Sequence, residues 1–458
     1  MEAMSEYWLE DIETASRVNL ERIQLEKLKK IIAYVEIHSE FYKKKFRENK
    51  VSSLKIQSLK DLCSFPLTSR EEIVKDQREN SRLGSLMCTS FDEPGQTIGM
   101  TGVRFSATGE PIRVILSIED AASQGRLGAR GLICAGVERK DYLYIADFPQ
   151  FNLLYMHLGL GSINLGSTSI LVGMERGERN VHTYTPRFPP SSFYISPTYS
   201  KFVTRLLKDA KMRYPIHAVL GWSEPGYSLP SWKERFRGMW GEVSVSSKIT
   251  ICDVYGLVEL GLLGFECINE MGLHGFEDAY IYEIINPKTG DILKPGNEGE
   301  LVITHLEREG MPLIRYRTGD ITSIQYEPCN CGRTHLRLMG IKGRLNQGIK
   351  VSGQTIFQSN IEEALGSFKG YSGDFNATTN GSEELSQLDI NIFQGETSKQ
   401  FHKELEDGCS KKLGVPVAIH LKAKEDLAIF THRSQKVFNT KDWDLLKKEA
   451  DKQLRAEA

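Results

Sequence analysis

The sequence predicts an α/β fold with a large multi-sheet N-terminal domain and a small α+β C-terminal domain. Apolar strand-like runs alternate with helical stretches, a pattern typical of parallel sheets covered by helices. The runs are residues 141–146, 167–172, 192–196 and 248–254. Between residues 281 and 303 short strands follow one another with tight turns, which indicates an antiparallel or barrel-like sheet. A separate set of strand and helix signals begins after Gly343.

The individual elements support this division. Residues 20–46 are predicted to form one long packing helix, because apolar residues recur at helical spacing between charged ones. These apolar residues are Leu28, Ile31, Ile32 and Val35. Proline and glycine mark turns at 287–290 and 295–299 in the antiparallel region. We place the N-terminal domain at residues 1–345 and the C-terminal domain at 346–458.

Length and charge exclude several classes of protein. A chain of 458 residues exceeds one ordinary core and favours two or more domains. Its formal net charge of −2 provides no basic field for nucleic acid or an anionic membrane. The acidic N-terminus lacks a signal pattern, and no apolar run is long enough to span a bilayer. We therefore expect a cytoplasmic protein, in which the eight cysteines are reduced thiols or metal ligands rather than disulfides.

A glycine turn after the run 248–254 carries residues suited to a nucleotide. Within residues 253–259, Tyr255 can stack on a purine, Gly256 permits a tight turn, and the Glu259 carboxylate can hold Mg²⁺ between phosphates. Ligands bind at such strand ends in open α/β sheets. Taken alone, the segment is better explained as a plain strand and turn than as a nucleotide site.

Two later segments add a ribose-binding candidate. Residues 315–320, Arg-Tyr-Arg-Thr-Gly-Asp, place Asp320 after a glycine turn, where its carboxylate can accept hydrogen bonds from both ribose hydroxyls. The alternative is a β-turn with a surface aspartate. Residues 343–346, Gly-Arg-Leu-Asn, and 349–353, Ile-Lys-Val-Ser-Gly, form an ordinary loop when considered alone.

The order of these segments is more informative than any one of them. Tyr-Gly-x-x-Glu is followed by Gly-Glu-Leu, Tyr-Arg-Thr-Gly-Asp and Gly-Arg. Further matching stretches are Ser-Glu-Phe-Tyr-Lys at 39–43, Phe-Pro-Leu-Thr-Ser at 65–69, Gly-Trp-Ser-Glu-Pro at 221–225 and Met-Pro-Leu-Ile-Arg at 311–315. Together they resemble the adenylate-forming (AMP-binding) superfamily and, within it, the phenylacetate–CoA ligase branch. The resemblance covers nearly the whole chain.

The resemblance implies an N-terminal adenylation domain, which binds ATP and the acyl substrate, beneath a C-terminal lid. It implies nucleotide contacts by Glu224, Pro225, Tyr255, Gly256, Asp320 and Arg344. In this assignment Tyr255 stacks on adenine and Asp320 holds the ribose, while Glu259 binds Mg²⁺. Asn346 occupies the hinge position, where the family usually has aspartate.

The phosphate-binding loop departs from the family pattern Ser-Ser-Gly-Thr-Thr-Gly-x-Pro. Its counterpart by spacing is residues 104–111, Arg-Phe-Ser-Ala-Thr-Gly-Glu-Pro. Ser106, Thr108 and Gly109 remain there to cradle phosphates with hydroxyl and amide groups. Gly-Met-Thr-Gly at 99–102 is the alternative loop.

The resemblance also assigns residues to the reacting acid and to the lid. Lys436, in the basic turn 432–437, matches the family lysine that contacts the carboxylate and α-phosphate; a solvated surface lysine is the alternative. Rotation of the lid about Asn346 would present a second face, including Lys350, to an attacking thiol. His157 lies where the family approaches the acyl substrate, although a packed surface histidine remains equally consistent with the sequence.

Cysteine and histidine spacing predicts a structural zinc site. Cys267 lies seven positions before His274, and Cys329 and Cys331 form a Cys-x-Cys pair. Thiolates and imidazole suit tetrahedral Zn²⁺, and a complete shell would join loops rather than catalyse. The branch often has such a site at these places. His335 competes as the fourth ligand, and two reduced cysteines in a turn are the alternative.

These assignments imply ATP-dependent conversion of a carboxylic acid, aromatic in this branch, into an acyl adenylate, followed by acyl transfer to coenzyme A. The expected partners are the small-molecule acid, ATP·Mg²⁺ and coenzyme A, with no nucleic acid or membrane; a homodimer is left open. A second hypothesis is an adenylating enzyme with another acceptor: an amine, a carrier-protein thiol or a coenzyme. A third is a nucleotide-binding homologue that has lost catalysis. The altered phosphate loop is the only feature of the sequence that supports it.

Overall fold

A computed structural model describes most of the chain. The described residues are 7–80, 83–89, 97–100, 110–146, 153–173, 177–222, 224–371, 374–379, 385–393, 398–422 and 437–439. The helices, in chain order, are α1 (Glu10–Glu13), α2 (Arg17–His38), α3 (Glu40–Glu48), α4 (Arg70–Glu79), α5 (Ile118–Cys134), α6 (Leu153–Leu165), α7 (Gly177–Tyr184), α8 (Pro197–Asp209), α9 (Pro230–Val243), α10 (Gln358–Gly366) and α11 (Lys399–Leu413). Short 3₁₀ turns span Ser53–Lys55, Leu59–Ser64 and Leu345–Gln347.

Within the described residues, the strands belong to five sheets. In chain order they are β1 (Thr97–Met100), β2 (Arg113–Leu116), β3 (Tyr142–Ala146), β4 (Thr168–Leu171), β5 (Ser192–Ile195), β6 (Ala218–Gly221), β7 (Thr250–Leu257), β8 (Gly261–Glu266), β9 (Leu273–Gly275), β10 (Tyr280–Ile285), β11 (Gly299–His305), β12 (Tyr316–Thr322), β13 (Ile324–Gln325), β14 (Arg337–Leu338), β15 (Gly343–Arg344), β16 (Ile349–Val351), β17 (Gln354–Ile356), β18 (Asp374–Thr379), β19 (Leu388–Phe393), β20 (Val417–Leu421) and β21 (Val437–Asn439).

The predicted N-terminal helix is two helices rather than one. Ser39 has an extended backbone (φ −105°, ψ 111°) and separates α2 from α3. Its hydroxyl oxygen accepts a hydrogen bond from Tyr42 N at 3.4 Å, and its hydroxyl donates to Leu86 O at 3.1 Å. A serine with these partners caps a new helix instead of continuing the old one. The predicted apolar face is confirmed, since Leu28, Ile31, Ile32 and Val35 are all buried.

A nine-stranded sheet forms the centre of the N-terminal part, in the order β13-β14-β9-β8-β7-β6-β5-β3-β4. The strands from β7 to β4 pair in parallel, and those from β7 to β13 pair antiparallel. Alternate residues of β3 enter two cores, Leu143 and Ile145 on one face, Tyr144 and Ala146 on the other. The predicted strands correspond to β3, β4, β5 and β7, so the α/β prediction is confirmed.

Smaller sheets surround the central one. The antiparallel region predicted between residues 281 and 303 contains β10 and β11, within the four-stranded sheet β10-β11-β12-β15. The C-terminal elements form the hairpin β16-β17 and the sheet β20-β19-β18-β21. This sheet shares a hydrophobic core with α8 and α9.

The shared core joins α9 to the C-terminal elements. The indole N–H of Trp232 donates to Glu362 O at 2.8 Å, and the Trp232 and Tyr371 rings lie 6.2 Å apart between centroids. Ile361 and Leu365 of α10 belong to the same buried cluster as Trp232 and Phe236 of α9. The C-terminal part is therefore packed against α9, not merely tethered to the N-terminal part.

Within these described ranges, no helix combines the length and the apolar character needed to cross a membrane. The longest, α2, has 22 residues but carries charged side chains along its length.

Candidate functional site

Three residues from separate strands meet near the carboxyl end of β7. The hydroxyl of Tyr255 donates to Asp320 Oδ2 at 2.7 Å. Arg344 Nε lies 3.2 Å from Asp320 Oδ1, and the two residues are paired across β12 and β15. Thr318 Oγ1 accepts a hydrogen bond from Asp320 N at 3.0 Å, which fixes the stretch of β12 that carries the carboxylate. The structure thus brings together three of the residues predicted to bind nucleotide.

Charge and burial keep Tyr255 and Arg344 in one protonation state each. The Asp320 carboxylate raises the pKa of Arg344, so the guanidinium stays charged. Burial, reinforced by Asp320, raises the pKa of the Tyr255 hydroxyl well above its usual range, so it remains a donor. Asp320 is 3% exposed. Each carboxylate oxygen has a second lone pair, and therefore the group can still accept hydrogen bonds from a diol.

Glu259 is held by Tyr316, which was not among the predicted site residues. The hydroxyl of Tyr316, the first residue of β12, donates to Glu259 Oε1 at 2.9 Å. Glu259 is 6% exposed and contributes to the raised pKa of Arg344. Tyr316 belongs to the same Tyr-Arg-Thr-Gly-Asp motif as Asp320. Its place in that motif was the available signal, although its contact with Glu259 depends on how β12 lies against the turn after β7.

Gly256 is required by close packing. A Cβ at this position would lie 2.7 Å from Gly261 O and 3.1 Å from Leu154 Cδ2. The pairing of β7 with β8 shifts register between Tyr255 and Gly256. A larger residue would push apart the two strands whose turn carries Glu259.

Glu224 lies beyond β6, next to β7 in the sheet, but its carboxylate is already engaged. Oε1 accepts a hydrogen bond from Thr198 N at 2.6 Å, and Oε2 accepts one from Thr198 Oγ1 at 2.7 Å. Both donors belong to the first turn of α8. Pro225 is half-buried in the same loop. The structure therefore shows Glu224 joining this loop to α8, and its predicted contact with adenine stays a prediction.

His157 is wholly buried in α6, which rules out the surface alternative. Neither ring nitrogen has a hydrogen-bond partner in the described part of the chain. Burial lowers the pKa of His157 well below its usual range, with a further contribution from Arg308. The imidazole is therefore neutral, and its approach to an acyl substrate remains a prediction.

The predicted hinge lies at the end of the four-stranded sheet. Asn346 is exposed in the 3₁₀ turn Leu345–Gln347, directly after Arg344 in β15. Lys350 is exposed in β16, where it pairs with Thr355 of β17. Both residues lie on the first segment of the C-terminal part.

Four predicted site residues lie outside the described residues: Ser106, Thr108, Gly109 and Lys436. The strands around the loop are described. β1 and β2 form an antiparallel hairpin in which Gly99 pairs with Val114 and Met100 with Arg113. Gly99 and Met100, half of the alternative upstream loop, are therefore strand residues, which favours the downstream stretch as the phosphate loop.

Cys267, His274, Cys329 and Cys331 form a buried cluster. Their ligand atoms all lie within 4.8 Å of one another. Cys267 Sγ is 3.7 Å from Cys329 Sγ, and Cys331 Sγ is 3.3 Å from His274 Nε2. The neighbouring Cys267 thiol and His274 lower the pKa of Cys331, which favours its thiolate. Three sulfur atoms and one imidazole nitrogen converge on a point that could hold a metal ion.

His335 is not part of this cluster. Its Nδ1 accepts a hydrogen bond from Glu277 N at 3.0 Å, and its Nε2 lies 2.9 Å from Ile12 O. Both ring nitrogens are therefore occupied. The structure places His274, rather than His335, with the three cysteines.

The cluster joins the N-terminal residues to the loop after β13. The hydroxyl of Tyr7 donates to Cys331 O at 2.8 Å, and Arg333 Nε donates to Glu13 Oε2 at 2.8 Å. Arg333 also lies over the Tyr7 ring, 4.9 Å from its centroid. An ion at the cluster would fix this junction.

The chain is similar to known ligases in sequence and in fold. No protein-family model matches it. A phenylacetate–coenzyme A ligase of Thermus thermophilus is 30% identical over 367 residues, which cover 78% of this chain and 77% of the relative. The phenylacetate–coenzyme A ligase of Escherichia coli K12 is 28% identical over 402 residues, 85% of this chain and 86% of the relative.

A solved 2-hydroxyisobutyryl-CoA ligase, in the postadenylation state with 2-HIB-AMP, superposes with a TM-score of 0.88. It is 22% identical, and the match covers 99% of this chain and 96% of the other. At this identity the likeness establishes the fold, while the Thermus relative establishes the family. The predicted resemblance is therefore confirmed: the chain belongs to the phenylacetate–coenzyme A ligase family of adenylate-forming enzymes.

Proposed function

We propose that this chain is an AMP-forming acid–coenzyme A ligase, which activates a carboxylic acid with ATP and transfers the acyl group to coenzyme A. The observation that carries the proposal is the meeting of Tyr255, Asp320 and Arg344 beside Glu259. The two sequence relatives named above are phenylacetate–coenzyme A ligases, so an aromatic acid is the proposed substrate class.

The proposed reaction has two displacement steps. In the first, a carboxylate oxygen of the acid bonds to the α-phosphorus of ATP, and the bond to pyrophosphate breaks. In the second, the sulfur of coenzyme A bonds to the acyl carbon, the bond to AMP breaks, and the thiol proton passes to solvent. One cleft can serve both steps if the lid turns between them.

The nucleotide would be held mainly by Asp320 and Arg344. Asp320 would accept both ribose hydroxyls, since Tyr255 and Arg344 orient its two oxygens. Arg344 would face the phosphate side as a permanent cation. Tyr255 would contact adenine through its ring, and Glu224 and Pro225 would shape the same pocket from the loop after β6.

Glu259 fits a magnesium ligand. Its carboxylate is buried, fixed by Tyr316, and close enough to Arg344 to affect its pKa. Mg²⁺ prefers such oxygen ligands and, when bound, would neutralise charge on the phosphates of ATP. The role of this chain is to hold the carboxylate still.

The remaining assignments follow the family resemblance. Ser106, Thr108 and Gly109 would cradle phosphate, and His157 would border the acyl pocket. We propose residues 346–458 as the lid, turning about Asn346 and bringing Lys350 to the cleft for thioester formation. The contacts between α10 and α9 define one position of this lid against the N-terminal part.

We further propose that the Cys267, His274, Cys329 and Cys331 cluster holds Zn²⁺. A three-sulfur, one-nitrogen donor set is one that structural zinc prefers, and four protein ligands leave no open position for chemistry. His274 Nε2 is the ring nitrogen that lies beside Cys331 Sγ, so Nε2 is the atom offered to the ion. The ion would stabilise the junction around Tyr7 and Arg333.

The function is tested by measuring pyrophosphate release with a panel of carboxylic acids, with and without coenzyme A. We expect release that depends on an aromatic acid, and acyl-CoA only when the thiol is present. Release with equal turnover in the absence of coenzyme A would favour another acceptor. If no acid releases pyrophosphate, the ligase proposal is wrong and loss of catalysis is favoured.

We expect Lys436→Ala to slow acyl-adenylate formation by roughly 100-fold, the scale for losing a preorganised charge donor. The reason is that negative charge accumulates as the carboxylate attacks phosphorus. Single-turnover formation of the acyl adenylate is the measurement. Lys422→Ala, at an exposed lysine beside β20, is the control and should leave the rate unchanged. Equal rates in both variants would show that another lysine has this role.

A further inference from the structure

Three donors converge on one backbone carbonyl, that of Leu260. Tyr280 Oη, His305 Nε2 and Arg308 Nη2 each lie 3.0 Å from Leu260 O. His305 Nδ1 accepts a hydrogen bond from Leu313 N at 2.9 Å, so the ring proton is on Nε2 and points to Leu260. A carbonyl oxygen has two lone pairs, and three buried donors exceed what satisfying it requires.

Leu260 directly follows Glu259 in the turn between β7 and β8. The other side of this turn is also fixed, because Gln124 Oε1 accepts a hydrogen bond from Leu262 N at 2.9 Å. Gln124 Nε2 in turn donates to Tyr280 Oη at 2.7 Å. The hydrogen bonds of the turn therefore form one connected network.

Burying these polar groups costs desolvation free energy. Arg308 is 4% exposed, and its Nη1 has no hydrogen-bond partner within the described segments. Tyr280 and His305 are buried as well. A buried charge without full compensation destabilises a protein, so stability alone is a poor explanation for directing it at this carbonyl.

We propose that Tyr280, His305 and Arg308 are positioning residues for Glu259. By fixing Leu260 O, they hold the turn that presents the Glu259 carboxylate, and Tyr316 holds the carboxylate itself. Partners one step removed from a metal ligand set its orientation and the metal affinity. The inference rests on the proposed function insofar as Glu259 is the magnesium ligand.

The test compares two tyrosines of the same strand. Tyr280→Phe removes the hydroxyl bound to Leu260 O, whereas Tyr282→Phe removes one that donates to Leu263 O at 2.7 Å, farther from Glu259. Both hydroxyls are buried and each also accepts one hydrogen bond, from Gln124 or from Phe276 N at 2.9 Å. The loss of thermal stability should therefore be similar, so only a positioning role separates the variants.

We expect Tyr280→Phe to raise the free Mg²⁺ concentration for half-maximal ATP binding by about tenfold, at the low end of such indirect effects on metal sites. Calorimetry measures this without turnover, and magnesium-free AMP binding should not change. Tyr282→Phe should leave both unchanged. Arg308→Lys, which retains a donor, should shift the Mg²⁺ requirement less than Arg308→Met.

Equal Mg²⁺ dependence in Tyr280→Phe and Tyr282→Phe would overturn the inference. A parallel fall in AMP affinity in Tyr280→Phe would also overturn it, because the effect would then be general. The result of this binding experiment can be distinguished from failure of the proposed function. If the wild-type chain binds ATP·Mg²⁺ but releases no pyrophosphate, the ligase activity is disproved. The Mg²⁺ dependence of ATP binding can still be compared between Tyr280→Phe and Tyr282→Phe.

Discussion

Asp320→Ala is expected to reduce AMP affinity at least 100-fold. The carboxylate is buried and would accept two ribose hydroxyls. Hydrogen bonds to charged groups contribute about 1.5–3 kcal/mol each, so losing two costs about 3–6 kcal/mol. The variant also leaves the Tyr255 hydroxyl and Arg344 without the partner that orients them. Isothermal calorimetry with AMP measures the loss directly.

Two further variants separate binding from folding. Asp320→Asn keeps the shape and one acceptor oxygen, so its affinity should fall between those of the wild type and Asp320→Ala. Asp291→Ala removes an exposed carboxylate and should bind AMP normally. If Asp320→Ala keeps its thermal stability and full AMP affinity, the nucleotide lies elsewhere and the assigned pocket is wrong.

Cys331→Ser is expected to abolish stoichiometric zinc and lower the free energy of unfolding by roughly 4 kcal/mol or more, the range in which loss of a metal site falls. Cys331 contacts His274 within the cluster, and its carbonyl anchors Tyr7. Without the ion, the three remaining buried side chains would either repel one another as charged groups or take up protons. Metal analysis and thermal unfolding measure the two effects, and protein that remains folded should bind AMP normally.

The matched control is Cys409→Ser, which introduces the same hydroxyl at a buried cysteine of α11 and should retain one zinc per chain. His274→Ala should lose zinc and His335→Ala should keep it, because both ring nitrogens of His335 are occupied. Carefully purified wild-type protein without zinc would contradict the assignment.

The sequence predicted the fold where local pattern decides structure. The runs that became β3, β5 and β7 are apolar because both faces of the sheet are covered, and such runs are visible without coordinates. The break at Ser39 was not predicted. Helical spacing continues through it, and the cap is completed by Leu86, a residue far along the chain.

The site was predictable in composition but not in contacts. Tyr255, Asp320 and Arg344 were identified because their motifs occur in family order, and the structure joins them. Tyr316 was missed because its bond to Glu259 depends on how β12 lies against the turn after β7. Similarly, the choice between His274 and His335 depends on the distance from each imidazole to the cysteine sulfur atoms, which sequence spacing does not give.

The core shared by α9 and α10 has a consequence for anyone who wishes to produce the nucleotide domain alone. A chain cut after residue 345 would leave Trp232 without the Glu362 carbonyl and without the Tyr371 ring that lies beside its indole. Large exposed apolar patches cause aggregation, so such a fragment would need polar substitutions on α9 before it could be purified. If the lid turns during turnover, the intact enzyme exposes part of the same α9 surface in every catalytic cycle. Aggregation at high protein concentration or high temperature should then be faster during turnover than in the resting enzyme.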